Sequence, residues 1–361
     1  MIFRAIVEPP EPMRGLEVPQ EVVEALSGGA RPPVTITING QLISTETGAH
    51  VWADRFDGER GKLGELQVEF VARLANSLGV ELIKAEALRA MRERPNNPDA
   101  VELSMRGWME RYRGATSKTN EDAAVGLFER ALAIDPQLVP AMVGLARTLV
   151  DRVEFLHSDD PKTDIARAED WAGRAVAAEP DNSDAHMAKA RVFYAKRQWP
   201  QAIAEADSAI ADNPSNADAH AARGFWKLYL GRSEDGFSGL DTAFRLSPRD
   251  TYVPIWQEEI CVLHNFLAQW EQAIEWCQKA RAGGPEDPFT LVHLAAANAW
   301  AGHDKEAKEA AAQLQKVYSG FTVQTYAGRH YSDDATFNAQ RARIVEGLRK
   351  AGVPEGDAKS N

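Results

Sequence analysis

From residue 100 onward, apolar residues recur at the spacing of amphipathic helices, and the pattern repeats every 34 residues. This interval separates Ala190 from Gly224, Ala202 from Gly236, Ala209 from Ala243, and Pro214 from Pro248. The register extends backward to Ala168, Ala175 and Pro180 and, after a slip of three residues, forward from Cys261, Ala268 and Ala273 to Ala295, Gly302 and Ala307. It predicts six helix pairs, at 101–136, 140–180, 184–214, 218–248, 252–285 and 288–318.

The first pair has the same internal spacing, in Ala124, Phe128, Ala131 and Pro136, but it precedes the second pair by 44 residues rather than 34. The additional residues fall in the polar stretch 157–164. A loop between helices lengthens at little cost, because the entropy of loop closure grows slowly with loop length. We therefore expect the array to continue through this insertion.

The sizes of the repeated residues explain how such pairs could pack. Small residues such as Ala190 and Gly224 recur where two antiparallel helices approach closely, and bulky residues such as Phe128 fill the space between pairs. Gly231 and Gly302 stand between the two helices of their pairs and permit a turn. A proline, which cannot continue a helix, ends five pairs: Pro136, Pro180, Pro214, Pro248 and Pro285. Because one pair cannot bury its apolar face alone, the pairs are expected to stack into a solenoid.

This pattern of small, aromatic, alanine and proline positions resembles the tetratricopeptide repeat over residues 95–320. The resemblance implies a mainly α, right-handed α-solenoid of about six helix pairs. His186 and His220 replace the Trp that is common in the family, and Ser319 stands where the last repeat would carry a proline. We therefore expect the array to end there, followed at 321–361 by a capping helix (333–352) and a tail that close the last hydrophobic face.

The hydrophobic period changes ahead of the repeats. Residues 34–56 alternate between apolar and polar, and the turn signal at 46–48 predicts a β-hairpin. A long helix that continues toward Met91 is predicted by apolar residues at helical spacing: Leu63, Leu66, Phe70, Leu74 and Leu78. A further strand at 2–7 and a short helix at 21–26 are also predicted. Together these elements form a small α+β segment before the solenoid.

The run QLISTETGAHVWADRFDG, residues 41–58, resembles the closing hairpin of the TolB-like amino-terminal domain. In many bacterial proteins that domain precedes tetratricopeptide repeats, and in some it follows a class III adenylate cyclase domain. A complete domain has more strands and helices before the hairpin than the poorly matching segment 1–33 supplies. The resemblance thus implies a partial module at 34–94, in a regulatory relative or a truncated descendant.

Because hairpin edges are pairing templates, residues 1–60 are expected to be loosely ordered, to pack on the long helix, or to pair with another chain by self-association.

Composition limits the classes of partner and compartment. The chain has 361 residues, of which 44% are hydrophobic and 26% charged, which is typical of a protein that buries a core. The formal net charge of -12 argues against nucleic acid and anionic membranes as partners. No apolar run approaches the roughly 20 residues that span a bilayer, and the first residues lack the core of a signal peptide. We expect a cytoplasmic protein.

Candidate reactive groups have simple packing interpretations. His186 and His220 occupy equivalent positions, which usually lie too far apart to share a metal, so packing within each helix pair is favoured. Cys261 and Cys277 are too few for a disulfide framework and are interpreted as buried apolar residues rather than a redox couple. The nucleophile and zinc motifs GxSxG and HExxH are absent. The sequence therefore predicts neither an enzyme nor a metal or cofactor.

In tetratricopeptide arrays the first helix of each pair lines a concave groove, and the resemblance places nine residues on that surface. They are Met187, Arg191, Tyr194, Ala221, Phe225, Leu228, Glu258, Val262 and Asn265. The set is largely apolar, which suits an amphipathic helix or an extended segment, and it lacks the Lys and Asn groups of arrays that clamp a carboxylate. The alternative is that several of these residues only pack between repeats.

These patterns predict a bacterial-type scaffold for protein–protein interaction, which binds a peptide or helix in the groove within a signalling or regulatory complex. A first alternative is a regulatory or accessory fragment of a class III adenylate cyclase system, without catalytic activity of its own. A second is a transcription regulator whose DNA-binding part is separate, although the acidic charge argues against direct contact with DNA.

Overall fold

A computed structural model describes residues 35–43, 50–59, 98–113, 117–283 and 287–356, with a few helical residues between 73 and 92. The chain divides into two compact units, 1–81 and 82–361. In the first unit, β1 (Thr35–Ile43) and β2 (His50–Glu59) pair antiparallel with a register shift near Leu42. The predicted elements at 2–7 and 21–26, the turn at 46–48 and most of the long helix lie outside the described residues. The TolB-like resemblance stays a prediction.

The second unit consists of antiparallel helix pairs in series. In the described residues these are α1 (Ala100–Arg113) with α2 (Lys118–Ile134), α3 (Val139–Glu154) with α4 (Pro161–Ala178), α5 (Ser183–Ala195) with α6 (Trp199–Asp212), α7 (Ala217–Trp226) with α8 (Phe237–Leu246), α9 (Val253–Phe266) with α10 (Trp270–Gly283), and α11 (Pro288–Ala301) with α12 (Asp304–Val317). Two 3-10 turns, Lys227–Leu230 and Ser233–Gly236, connect α7 to α8. α13 (Val323–Ala327) and α14 (Ala335–Lys350) follow. Each predicted pair coincides with an observed pair.

The helices of the fourth pair approach more closely than a side chain would allow. A Cβ atom built on Gly224 would lie 2.6 Å from the carbonyl oxygen of Gly236, and one on Gly239 would lie 2.4 Å from the carbonyl oxygen of His220. Ala190 and Ala202, the residues of the third pair equivalent to Gly224 and Gly236, are fully buried, whereas Glu205 stands at the position of Gly239. Small residues at Gly224 and Ala190 thus lie where the paired helices approach, as the sequence predicted.

Bulky residues fill the space that these close approaches leave. Phe128 of α2 is fully buried, and its ring would lie 2.7 Å from a Cβ on Gly107 and 2.3 Å from a Cβ on Gly144. Those glycines come from the first helices of two successive pairs. One aromatic ring thus packs into hollows on both, which couples the first pair to the second.

The repeat also recurs in the helix ends. The side chains of Asn182 and Asn216 stand 34 residues apart, and each caps a first helix by accepting hydrogen bonds of 3.0 Å from backbone N–H groups. The turn inside the pair is left-handed at Gly231 (φ 70°). Arg197, at the equivalent position one repeat earlier, adopts the same conformation with φ 58°. The turn therefore recurs even where glycine does not.

Cys261 and Cys277 correct one expectation from the sequence. They lie on α9 and α10, are fully buried, and are joined by a disulfide, with their Cα atoms 5.2 Å apart. Their interpretation as unbonded apolar residues was wrong, because antiparallel pairing brings the two sulfur atoms together.

Among the helices that the structure describes, none is long and apolar enough to cross a bilayer.

We predict that Gly239→Ala lowers the free energy of unfolding by about 1–3 kcal/mol, because its methyl group would press on the backbone of α7. Gly173→Ala is the matched control, since a Cβ there meets no atom within 4 Å. It should raise stability by roughly 0.5–1 kcal/mol through helix propensity. Urea denaturation followed by circular dichroism measures both, and equal effects would contradict the close-approach model.

Candidate binding cavity on the inner face

The chain's C-terminal segment, residues 321–353, lies on the first helices of the pairs. α14 packs on α11, and it extends back to α9 and to the 3-10 turn after α7. The approach is close at Gly347, where a Cβ would lie 2.9 Å from the Cα of Ala296. The sequence placed a closing helix over the last hydrophobic face. In the structure that helix turns back across the first helices of three pairs, because their apolar inner surfaces continue the face exposed by α11.

Tryptophan and serine side chains hold this C-terminal segment in place. Trp199 Nε1 donates a hydrogen bond of 2.9 Å to the carbonyl oxygen of Tyr331, and Trp300 Nε1 donates one of 2.8 Å to that of Arg343. Ser332 Oγ donates to the carbonyl oxygen of Tyr229 at 2.5 Å. The two tryptophans belong to the third and sixth pairs. The segment is therefore anchored from the third pair to the sixth.

A cavity of about 450 Å³ remains between the first helices and the C-terminal segment. Aromatic side chains form much of its wall: Tyr194, Phe225, Tyr229, Tyr252, Trp256, Phe266, Tyr331 and Phe337. Tyr229 stacks on Trp199, with ring centroids 3.9 Å apart, and contacts Phe337 at 5.5 Å. The rings therefore pack against one another, which restricts the movement of these side chains.

Seven of the nine residues predicted on the groove surface line this cavity. They are Arg191, Tyr194, Ala221, Phe225, Leu228, Glu258 and Val262. The other two, Met187 and Asn265, are fully buried away from it. Asn265 Nδ2 donates to the carbonyl oxygen of Cys261 within its own helix, at 3.2 Å. The structure therefore brings seven residues together, while their role in binding a partner stays a prediction.

One edge of the cavity is a buried network of arginines and acids. Asp218 of α7 accepts hydrogen bonds from Arg147 of α3 at 2.7 Å and from Arg191 of α5 at 2.6 Å. Although burial alone would raise the pKa of Asp218, the two guanidinium groups lower it to about 2. Three successive pairs are thus joined through one carboxylate.

The network continues to the first and fifth pairs. Arg111 of α1 forms a salt bridge of 2.8 Å with Asp151 and donates a hydrogen bond of 2.7 Å to the hydroxyl of Tyr252, which precedes α9. Arg147 and Arg191 lie over the ring of Tyr252, at 5.8 and 5.7 Å from its centroid. Arg111 and Tyr252 therefore meet although 141 positions separate them in the chain. Their contact joins the first pair to the fifth across the inner surface.

Two other acids in the wall have no such partners. Glu154, the last residue of α3, and Glu259 of α9 form no salt bridge with any residue that the structure describes. Oε1 of Glu154 and Oε2 of Glu259 are inaccessible to solvent and accept no hydrogen bond. Burial raises the pKa of each carboxyl to about 8 although the charge of Arg191 opposes the rise, and the charge of Glu154 adds to it at Glu259.

A further acidic pair and a histidine line the same cavity. Burial, followed by the charge of Asp287, raises the pKa of Glu258 well above its ordinary value. His293 of α11 is 6% exposed, and its Nδ1 makes no hydrogen bond. Burial lowers the pKa of His293 to about 4, so its imidazole is neutral at pH 7.

The two repeat-related histidines do not belong to this cavity. Nδ1 of His186 lies 2.7 Å from Glu205 Oε2, and its Nε2 lies 2.8 Å from the carbonyl oxygen of Pro180. His220 Nε2 lies 3.0 Å from the carbonyl oxygen of Pro214. Each therefore packs against its own pair and the loop before it. In the described part of the chain, no group of three or more His, Cys, Asp or Glu residues could hold a metal ion.

Sequence reasoning missed the charged residues that shape the cavity, including Glu154, Asp218, Glu259 and His293. Each sits in an ordinary amphipathic helix, where an acid is usually a solvated surface residue. A signal was available in the repeat itself, since Asp218 belongs to the same DAH sequence that drew attention to His220. The sequence did not reveal that first helices far apart in the chain converge on one cavity.

Comparisons with known proteins support the fold. No family model matches the sequence. A chain of the crystal structure of the APC/C hetero-tetramer Cut9-Hcn1 aligns with a TM-score of 0.51 at 13% identity, over 78% of this chain and 49% of that one. A thermophilic TPR protein of Thermus thermophilus aligns with a TM-score of 0.41 at 24% identity, over 50% of this chain and 91% of that one. This chain has the fold of an α-solenoid of helix pairs.

One curated protein is also similar in sequence. Putative adenylate cyclase 3 of Rhizobium meliloti (strain 1021) is 26% identical over 176 residues, which are 48% of this chain. The match spans 29% of the length of that relative. The similarity therefore concerns a minor part of the relative, and it assigns no activity to this array of helix pairs.

We predict that Asp218→Ala lowers the free energy of unfolding by about 3–5 kcal/mol, because it leaves Arg147 buried without a counter-ion. Asp207→Ala removes a salt bridge of 3.2 Å in which Asp207 is 56% exposed, and should change stability by less than about 1 kcal/mol. Urea denaturation at pH 7 compares the two variants. A similar small effect for both would show that the network contributes little.

The unpaired carboxyls predict an unusual pH dependence. Because Glu154 and Glu259 titrate near pH 8 when folded and near pH 4.3 when unfolded, the folded chain binds more protons between these limits. Their contribution to stability is complete below about pH 4 and is lost as the pH rises through 8. We expect Glu259→Gln to reduce the loss of stability between pH 5 and pH 8 by roughly 1 kcal/mol or more. The exposed control Glu309→Gln should leave the pH profile unchanged, and identical profiles for both variants would refute this assignment.

Proposed function

We propose that this chain is a scaffold that binds a segment of another protein on the inner face of the array, within the cavity between the first helices and the C-terminal segment. The supporting observation is the cavity of about 450 Å³, whose wall contains seven of the nine residues expected on the groove surface. A cavity of this size accommodates the side chains of a short peptide rather than a whole helix.

The behaviour of the chain's own C-terminal segment supports this assignment. Phe337 of α14 inserts its ring between Tyr229 and Phe266, at centroid distances of 5.5 and 5.2 Å. The surface formed by these first helices can therefore bind a helix, and here that helix is α14 of the same chain. A partner segment would occupy the space that remains beside α14, with its apolar side chains against the aromatic wall.

A second candidate is an accessory role in an adenylate cyclase system. It is supported by the similarity over 176 residues to the protein named putative adenylate cyclase 3. In this role the array would bind a cyclase or its regulator and would not itself catalyse the reaction. The two candidates share the same binding surface and differ in the identity of the partner.

Site-specific photocrosslinking in cells tests the proposal. p-Benzoylphenylalanine replaces Phe155, which lines the cavity, or Phe193, a half-buried phenylalanine that does not. We expect a discrete crosslinked protein from position 155 and none from position 193. Mass spectrometry then maps the crosslinked segment, and the corresponding synthetic peptide should bind the purified full chain in calorimetry.

The outcomes separate the candidates. A nucleotide cyclase as the crosslinked protein would favour the accessory role, and another protein would favour a different complex. Equal crosslinking from positions 155 and 193, or a mapped peptide that does not bind the purified chain, would overturn the proposal that the cavity is the binding site.

A further inference from the structure

We propose that the cavity is a receptor for an alkylammonium group, delivered either by a lysine side chain of the bound segment or by a free amine. The lysine source rests on the proposed function, whereas the free-amine source does not. The proposal depends on the unpaired acids of the wall, on the aromatic rings around them, and on an unpartnered histidine.

The first observation is a pair of buried carboxyl oxygens that have no hydrogen-bond donor. Glu154 and Glu259 come from the second and fifth pairs, yet they lie close enough for one charge to affect the other. Each buries one carboxylate oxygen that accepts no hydrogen bond. An ionised carboxylate in such a position is costly unless a cation or a hydrogen-bond donor accompanies it. An ammonium group would supply three N–H donors and the compensating charge.

The arginines of the wall do not meet this requirement. Arg191 is committed to Asp218 at 2.6 Å. Arg341 donates to the carbonyl oxygen of Tyr326 and lies over the ring of Tyr331, 4.9 Å from its centroid. Arg329 lies over the ring of Phe289 at 5.8 Å, and Arg197 lies over the ring of Tyr331 at 5.1 Å. Arg191 lowers the pKa of both carboxyl groups but donates no hydrogen bond to either, so the missing donor would have to come from a ligand.

The aromatic wall suits the remainder of such a ligand. The rings of Tyr194 and Trp226 stack with centroids 5.2 Å apart, and Tyr194 meets Trp199 edge to face at 5.5 Å. Aromatic faces attract ammonium groups, and they also pack against the methylene stem of a lysine side chain. A cavity lined by aromatic rings and by carboxyl groups is therefore complementary to an alkyl chain with a charged end.

His293 provides an independent observation. It is 94% buried, since 6% of its surface is exposed, it lines the cavity, and its Nδ1 has no hydrogen-bond partner. Its ring is fixed between Phe266 and Tyr326, at centroid distances of 6.4 and 6.3 Å. A neutral imidazole nitrogen accepts a hydrogen bond from an N–H group and does not repel a cation. The histidine thus adds a neutral acceptor to the same wall.

Other ligand classes fit these residues less well. An anion would oppose the ionised forms of Glu154 and Glu259, and Arg191 is already bound to Asp218. A wholly apolar ligand would leave one buried oxygen of each carboxyl group without a donor. The described residues contain no group of three or more metal-ligating side chains arranged for a metal ion. An ammonium group with an apolar stem satisfies the acids and the rings together.

Calorimetry on the full chain tests the proposal with a matched pair of probes, Nα-acetyl-lysine amide and Nα-acetyl-norleucine amide. They differ in the terminal ammonium group, so we expect the lysine probe to bind at least about tenfold more tightly. Glu259→Gln should abolish most of that difference, and Glu154→Gln should reduce it. Glu309→Gln, which removes an exposed acid on α12, should leave both affinities unchanged. Circular dichroism confirms that each variant is folded.

A second arm uses the peptide identified by crosslinking, with each lysine replaced in turn by norleucine. Loss of affinity at one lysine, absent in the Glu259→Gln chain, would assign that side chain to the cavity. Binding of the lysine probe without binding of any peptide would support a free amine and would count against the proposed function. Equal affinity for the two probes, or for the lysine and norleucine peptides, would overturn the ammonium proposal while leaving protein binding intact.

Discussion

The close approach of paired helices is the constraint on which the rest of this structure depends. At Gly224 and Gly239 the two helices come nearer than any Cβ would permit, and Ala190 occupies the position equivalent to Gly224 in the preceding pair. Small residues also leave hollows between pairs, and the ring of Phe128 fills those at Gly107 and Gly144. Stacking then brings all the first helices to one inner surface.

That inner surface is too apolar to remain exposed, and the chain covers part of it with its own C-terminal segment. Phe337 packs between Tyr229 and Phe266, and Trp199 and Trp300 bind the backbone of the segment. The segment thereby forms one wall of the cavity. The inner surface of the array is thus divided into a part that α14 covers and a smaller cavity beside it.

The charges of the inner face are arranged unequally. Asp218 is shared by Arg147 and Arg191, so that acid is stabilised in its ionised form and ties three pairs together. Glu154 and Glu259 lie nearby without a salt bridge, and burial favours their neutral forms although the charge of Arg191 opposes it. The contrast follows from which acids the arginines can reach with a hydrogen bond.

The sequence by itself determined the helix pairs and their interval, because both depend on side-chain size and on periods of a few residues. The resemblance to tetratricopeptide arrays placed nine residues on an inner groove, and seven of them, Tyr194 and Val262 among them, line the cavity. The return of α14, the disulfide between Cys261 and Cys277, and the meeting of Arg111 with Tyr252 could not be predicted in this way. These three features depend on the small rotation from each helix pair to the next. The total rotation over several pairs is decided only by the tertiary structure.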